Sequence, residues 1–208
     1  MIRVERISSE MAGVRQFDHE KVLTAVLDVF WRKGWLSTSM ADLAEASGVQ
    51  RGSLYNAYGG KEELFLLAFE LYAQSFLAEA RKALDAPTAA KALKRLFAVA
   101  IRNMSTGDPP RGCLTTKTAA ELDGAGLQIQ QRLRDLLADL NEIVQSALAA
   151  KHFTAELRVP PDDTARIIVT FTRGLAVMEL LYHDPDELQA TADALVQTLL
   201  VSSDALRQ

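Results

Sequence analysis

The chain has 208 residues, 49% of them hydrophobic and 24% charged, and a net charge of −4. That is enough apolar sequence for one well-buried core with a smaller satellite domain, and the lack of any 18-residue apolar run excludes a membrane-spanning helix. A single cysteine, Cys113, excludes an internal disulfide and fits a reducing cytoplasm, the expected location.

Residues 1–17 read as a loose arm. Its start, MIRVERISSEMAGVR, carries charges but lacks the apolar stretch of a secretory signal. DHEKVLTAVLDVFWRKG then sets Val22, Val26 and Phe30, with Leu23 and Leu27, at helical spacing, and Gly34 ends the helix. SMADLAEASG predicts a short second helix, capped by Ser39 with Asp42 as its reciprocal partner and closed by Gly48. QRGSLYNAYGG predicts a third, with Leu54 and Tyr58 on one side and Gly59 and Gly60 as its stop. Lys61 opens a long fourth helix through Ala83. Pro87 and Thr88 start a fifth that runs to Ser105, and CLTTKTAAEL predicts a short sixth. Leu127–Lys151, Asp163–Tyr182 and Pro185–Ser202 complete an all-α chain of about nine helices without a β-period segment.

Charge is distributed unevenly. Residues 1–62 hold eight Lys/Arg and eight Asp/Glu, so the rest of the chain carries the whole acidic excess. Between residues 49 and 61 the ionised side chains are Arg51 and Lys61. An acidic body with a neutral end and a locally positive strip leaves DNA contact open.

Two short helices joined at SGV and followed by two glycines match a helix-turn-helix. Gly48 supplies the turn, and Leu43, Ala44, Val49 and Leu54 would hold the pair together. The second helix would expose Gln50, Arg51, Ser53, Tyr55 and Asn56. Arginine forks onto guanine, glutamine or asparagine onto adenine, and an aromatic packs on a thymine methyl or bonds a phosphate. Gly52 has no side chain and lets the backbone come close to DNA. Lys61, at a helix N-terminus, suits a phosphate. Taken by spacing alone, the same features also describe a small helical hairpin with a solvated face.

Residues 18–64 resemble the DNA-binding domain of the TetR family of transcriptional regulators. The resemblance is carried by STSMADLAEASGVQRGSLYNAYGGKEELF, placed after an amphipathic helix that ends in FWRKGW. It implies phosphate contacts from Thr38, Ser39, Tyr55 and Lys61 and base contacts from Gln50, Arg51 and Asn56. It also implies a DNA-binding domain over 18–62 and a helical ligand-binding and dimerisation domain over 63–208. The protein would then be a one-component repressor, held on near-palindromic double-stranded operator DNA as a homodimer through residues 163–202. A small apolar or aromatic inducer would release it. Ala41 and Ala57 stand where many members carry a polar side chain, and each removes a possible contact. Gln50 stands where many have serine, so it caps poorly but reaches a base. Tyr58 replaces a common phenylalanine and reads as core.

In the body, the apolar spacing 188, 192, 195, 199 reads as a helix-packing seam. It is either the core of one chain or, as the resemblance implies, part of a four-helix dimer interface. Phe69, Tyr72, Phe76, Phe97, Met104, Phe171, Met178 and Tyr182 read as plain core by themselves. The resemblance implies instead that they enclose an inducer cavity, lined also by Cys113, with Asn103, Thr116, Thr118, Glu179 and His183 available to orient a ligand. RGCLTTKTAAEL puts Cys113 at a helix N-terminus beside Arg111, and both favour thiolate. This segment resembles the GCL segment of a subset of the family, some of whose members sense electrophiles or oxidants through that cysteine. The alternative is a small buried residue packing a helix end.

Enzyme readings find little. His19, His152 and His183 lie in no metal-ligand spacing, and GAG at 124–126 lacks the rest of a dinucleotide fingerprint. No P-loop or nucleophile elbow is present, so no catalytic residue, metal or cofactor is expected. Arg51, Tyr55 and Lys61 also speak against a helical ligand carrier that has lost DNA binding and against a small α-helical enzyme.

Overall fold

The computed structural model describes residues 17–201. The expected arm, apart from Phe17, and the end of the chain from Ser202 lie outside the described residues. Three short helices come first: α1 (His19–Lys33), α2 (Met40–Ser47) and α3 (Arg51–Tyr58). Then follow α4 (Lys61–Leu84), α5 (Ala89–Ser105), α6 (Leu114–Ala120), α7 (Leu127–Leu148), α8 (Lys151–Thr154), α9 (Pro161–Tyr182) and α10 (Pro185–Leu199). The all-α expectation holds. Among the described residues the β structure is limited to one bridge, Leu157 with Leu200.

Three boundaries differ from the sequence reading, one of them that of the last helix, which stops at Leu199, short of the expected Ser202, because Leu200 turns extended (ψ 151°). The seventh helix stops at Leu148, because Ala150 turns extended (ψ 134°) and restarts the chain as the single turn α8. Helix α9 begins at Pro161, earlier than Asp163. Proline's fixed φ suits the first helical position, where its missing N–H costs nothing.

The short helices are held by their caps. The Asp42 amide donates to Ser39 Oγ at 3.2 Å, and the Ser39 amide donates back to the Asp42 carboxylate at 2.8 Å. Lys33 pairs with that carboxylate at 2.5 Å, and the ammonium first, then Ser39, holds Asp42 well below the usual carboxylate range. Gly48 takes φ +65°, the left-handed conformation that lets the chain turn straight into α3. Leu43 and Leu54 are fully buried beneath this turn, with Ala44 and Val49 packed beside them.

An aromatic ladder carries the core from this head into the body. Phe30 stacks on Trp35 and meets Phe65 edge-on; Phe65 stacks on Phe69, and Tyr72 and Phe76 continue along α4. Each fully buried ring is worth about 1.5–3 kcal/mol relative to exposure. Helix α4 packs on α1, α5 and α7, while α9 packs on α7 and α5.

The 188, 192, 195, 199 seam is core of a single chain. Leu188, Ala192, Val196 and Leu199 are buried and Leu195 is half-buried, on a helix packed against α5. Apart from Leu36, Tyr55 and Leu127, the exposed large apolar side chains among the described residues lie on α9 instead, at Ile167, Val177, Met178, Leu180, Leu181 and Tyr182. Leu181 and Tyr182 are each 65% exposed, so they are not held by any part of their own chain's core.

Candidate functional site

Helix α3 turns one face inward with Leu54 and Tyr58 and the other to solvent. Gln50, Arg51, Gly52, Tyr55 and Asn56 are all exposed, and Ser53 is half-buried. The Arg51 guanidinium lies over the Tyr55 ring at 5.6 Å, a cation–π approach that places both on one outward surface. Gln50 makes no side-chain cap, which leaves its amide unengaged at the start of α3. Ser39 is exposed at the start of α2, on the cap already described.

Thr38 and Lys61 sit differently from the sequence reading. Thr38 is buried, and its hydroxyl donates to Gly34 O at 2.6 Å, so a phosphate cannot reach that oxygen without breaking the bond. The Lys61 ammonium donates to Thr38 O at 2.8 Å and lies 4.3 Å from the centre of the Trp35 ring. Burial pushes the Lys61 pKa down, against the pull of Glu121. Its first work is to close the α4 N-terminus onto the chain that precedes α2. Tyr58 is core, as expected; its hydroxyl bonds His19 Nδ1 at 2.7 Å, and burial pushes its pKa up to about 12.

The segment around α6 fastens the body to this head through four hydrogen bonds. Trp31 Nε1 donates to Gly112 O at 2.7 Å, and Trp35 Nε1 to Gly124 O at 2.9 Å. Lys117 Nζ donates to Trp31 O at 3.0 Å, and the Leu36 amide donates to Glu121 Oε2 at 2.9 Å. The donors and acceptors are more than eighty residues apart in sequence, and no local pattern marks them.

Of the expected pocket residues, Tyr72, Phe76, Asn103, Met104 and Cys113 come together around one small cleft of about 10 Å³, with Arg173 at its edge. Phe69 and Phe97 are fully buried in the continuous core, Phe97 edge-on to the half-buried Phe171 at 5.8 Å. Thr116 is half-buried beside Cys113. Met178 and Tyr182 do not belong to this cleft. They face outward and line a separate surface groove of about 200 Å³ between α9 and α10. Helical periodicity could not separate these sets, because a face that packs a core and a face that meets another surface are equally apolar.

Cys113 caps α6, but its neighbouring cation is not the expected one. Arg173 Nη1 lies 3.4 Å from Sγ. Arg111 instead stacks on Trp31 at 3.7 Å and donates to Asn103 through two hydrogen bonds. Burial pushes the Cys113 thiol up, but the Arg173 charge and the hydroxyl and amide of Thr116 pull harder, so its net pKa lies below that of an ordinary thiol. Sequence reasoning could not find Arg173, which reaches the sulfur from α9, sixty residues on.

Among the described residues no His/Cys/Asp/Glu group is placed to hold a metal, and no helix is long and apolar enough to cross a membrane.

Comparisons with known proteins match both the head and the body of the chain. Residues 22–68 match the family model of bacterial regulatory proteins of the tetR family, and residues 89–195 match the tetracyclin repressor-like C-terminal domain. The HTH-type transcriptional repressor ComR of Escherichia coli (strain K12) is 29% identical over 147 residues, 70% of this chain and 69% of that protein. A cysteine variant of the regulator CifR, complexed with 26-bp double-strand operator DNA, superposes with a TM-score of 0.74 at 25% identity, over 88% of this chain and 98% of that one. E. coli NemR in its reduced form gives a TM-score of 0.78 over 88% and 96% of the two chains; at 16% identity that likeness is one of fold.

Proposed function

Because the chain belongs to the TetR family of transcriptional regulators, we propose that it is a ligand-responsive repressor that binds a near-palindromic operator as a homodimer. The observation that carries this reading is the outward face of α3. Arg51, Tyr55, Asn56 and Gln50 are exposed together on a helix without acidic residues, ahead of a turn closed by Lys61. Side chains of these types read base edges in a major groove and bond phosphates, and acids on that face would repel the backbone. A CifR variant is complexed with operator DNA, and ComR is a transcriptional repressor; both support assigning the same role here.

Two heads require a two-fold pair, which sets them over successive half-sites. The exposed apolar end of α9 is the surface suited to it, extended by the groove it shares with α10. Ligand response is assigned to the Tyr72–Met104–Cys113 cleft, because α6 begins there and the segment ends in hydrogen bonds to the head. A ligand that prefers an opened cleft shifts the population toward a head spacing that does not fit the operator. Binding of purified protein to DNA selected from a random duplex library tests the reading. A selected two-fold motif supports it, and the absence of any selected sequence overturns it.

A second reading is favoured by one contact, Arg173 on the Cys113 sulfur. In it the protein responds to electrophiles or oxidants through a stabilised thiolate. Cys113→Ser would abolish release by electrophiles under this reading and leave ligand response nearly intact under the first.

A further inference from the structure

One cation, Arg173, lines the cleft at Cys113, and two more, Arg111 and Lys117, stand within four residues of that cysteine. Arg173 donates to Thr172 Oγ1 at 3.1 Å and to the cysteine sulfur at 3.4 Å. Arg111 donates to the carbonyl and side-chain oxygens of Asn103 at 2.9 and 3.0 Å and covers the Trp31 ring. Lys117 donates to the carbonyl oxygens of Trp31 and Arg111, both at 3.0 Å. Each partner is a neutral oxygen, a ring or a thiol.

None of the three forms an ion pair among the described residues. The carboxylates that act on Arg111 from nearby are Asp28 and Glu79. Asp28 is already paired with Arg32 at 2.6 Å, and Glu79 with Arg102 at 2.6 Å. All three cations are half-buried, where an uncompensated charge costs more than at the surface. Even an ionised Cys113 would neutralise one of them and leave two.

Apart from Asn103, whose side-chain oxygen Arg111 holds, the rest of the cleft lining is apolar or aromatic. Tyr72 and Phe76 stack at 5.9 Å to form one wall, and the buried Met104 closes the other side. An unbranched thioether chain adapts to new neighbours more readily than any other core side chain. The fork of Arg173 has donors to spare, and a planar guanidinium matches a carboxylate bidentately.

We propose that this cleft takes the anionic head group of an apolar acid, a carboxylate on an aryl or acyl body, with the head on Arg173 and the body between Tyr72, Phe76 and a displaced Met104. The proposal rests on the ligand-response reading above and narrows its ligand from any apolar molecule to an acid. Neutral compounds of the same shape leave the cations unpaired and bind more weakly. The bound carboxylate takes the place beside Arg173 that a thiolate would occupy, so it also keeps Cys113 protonated.

Because Cys113 is the single thiol of the chain, its alkylation reads the cleft directly. The full-length protein is labelled with iodoacetamide, and the rate is followed by mass spectrometry with and without 1-naphthoate or the neutral 1-naphthamide. In parallel, the rate with anionic iodoacetate is divided by that with iodoacetamide for the unmodified protein, Arg173→Gln and Arg173→Lys, each checked for retained helicity. The proposal expects naphthoate to protect strongly and naphthamide little. It also expects the rate ratio to fall severalfold in Arg173→Gln and to persist in Arg173→Lys. Equal or better protection by naphthamide overturns the acid assignment while leaving a ligand cleft in place. Protection by neither compound, with a ratio indifferent to Arg173, overturns both the acid and the cleft.

Discussion

The carboxylate of Glu121 accepts a hydrogen bond from the Leu36 amide at 2.9 Å, which fastens the end of α6 to the chain that leaves α1. Gly34 makes room for it: at φ +80° a side chain there would meet the same carboxylate. Glu121 thus lies between the cleft at one end of α6 and the DNA-reading head.

Glu121→Ala is expected to lower stability by about 1 kcal/mol, the worth of one hydrogen bond. It is also expected to weaken the link between cleft and head. The ligand concentration that releases half the operator should rise more than the affinity for operator changes. A titration of release, beside a thermal melt, separates the two effects.

Arg51→Ala should cost about 1–3 kcal/mol of operator binding and relax one base position, because a lost guanidinium fork leaves that base unread. Selection of binding sites with the variant checks it. An unchanged motif would remove Arg51 from the base-reading set.

Lys61→Ala should lower the melting temperature as well as the salt dependence. Its ammonium closes α4 onto Thr38 and Trp35, so the head loses a hydrogen bond and a cation–π contact. If it also meets a phosphate, the slope of log K against log salt should flatten by about one unit. A flattened slope with an unchanged melt would contradict the packing role.

Much of this architecture was legible in the sequence, and the reason is local. Ser39, Asp42 and Gly48 act within one or two turns of themselves, so cap chemistry placed α2 and its turn correctly. Leu43 and Leu54 followed from helical spacing, and both are fully buried. What stayed hidden depends on contacts between distant segments. Arg173 beside Cys113, Glu121 on Leu36 and Trp31 on Gly112 leave no periodic trace. The family resemblance implied a phosphate contact from Thr38, but in the fold its hydroxyl donates to Gly34 O. The seam through Leu188 and Val196 shows the same limit: an apolar stripe says that a face is covered, not by which chain.

That limit relocates the dimer test. Leu181→Glu puts a charge on a side chain that is 65% exposed, so the single chain should change by no more than about 0.5 kcal/mol. In a dimer built on α9 the same charge enters an apolar interface and should yield monomers. Sedimentation of the variant and the unmodified chain at micromolar concentration distinguishes the cases, and an unaffected dimer would place the interface elsewhere.

Burial raises the Cys113 pKa, but the Arg173 charge together with the hydrogen bonds from Thr116 and Thr115 brings it below that of an ordinary thiol. Alkylation by iodoacetamide should therefore reach half its limiting rate at a pH below the ~8.5 of a free thiol. Arg173→Gln removes the stabilising charge and should move that midpoint upward, slowing the reaction at neutral pH. A midpoint indifferent to Arg173 would contradict the contact.

The most direct measurement of the central claim is the stoichiometry of the protein on DNA selected from a random duplex library, read by sedimentation of the complex. The account predicts an even number of chains on a near-palindromic site, with half-sites about one helical turn apart, and loss of the complex in Leu181→Glu. A single chain on a site without two-fold symmetry, or no selected site at all, would contradict it.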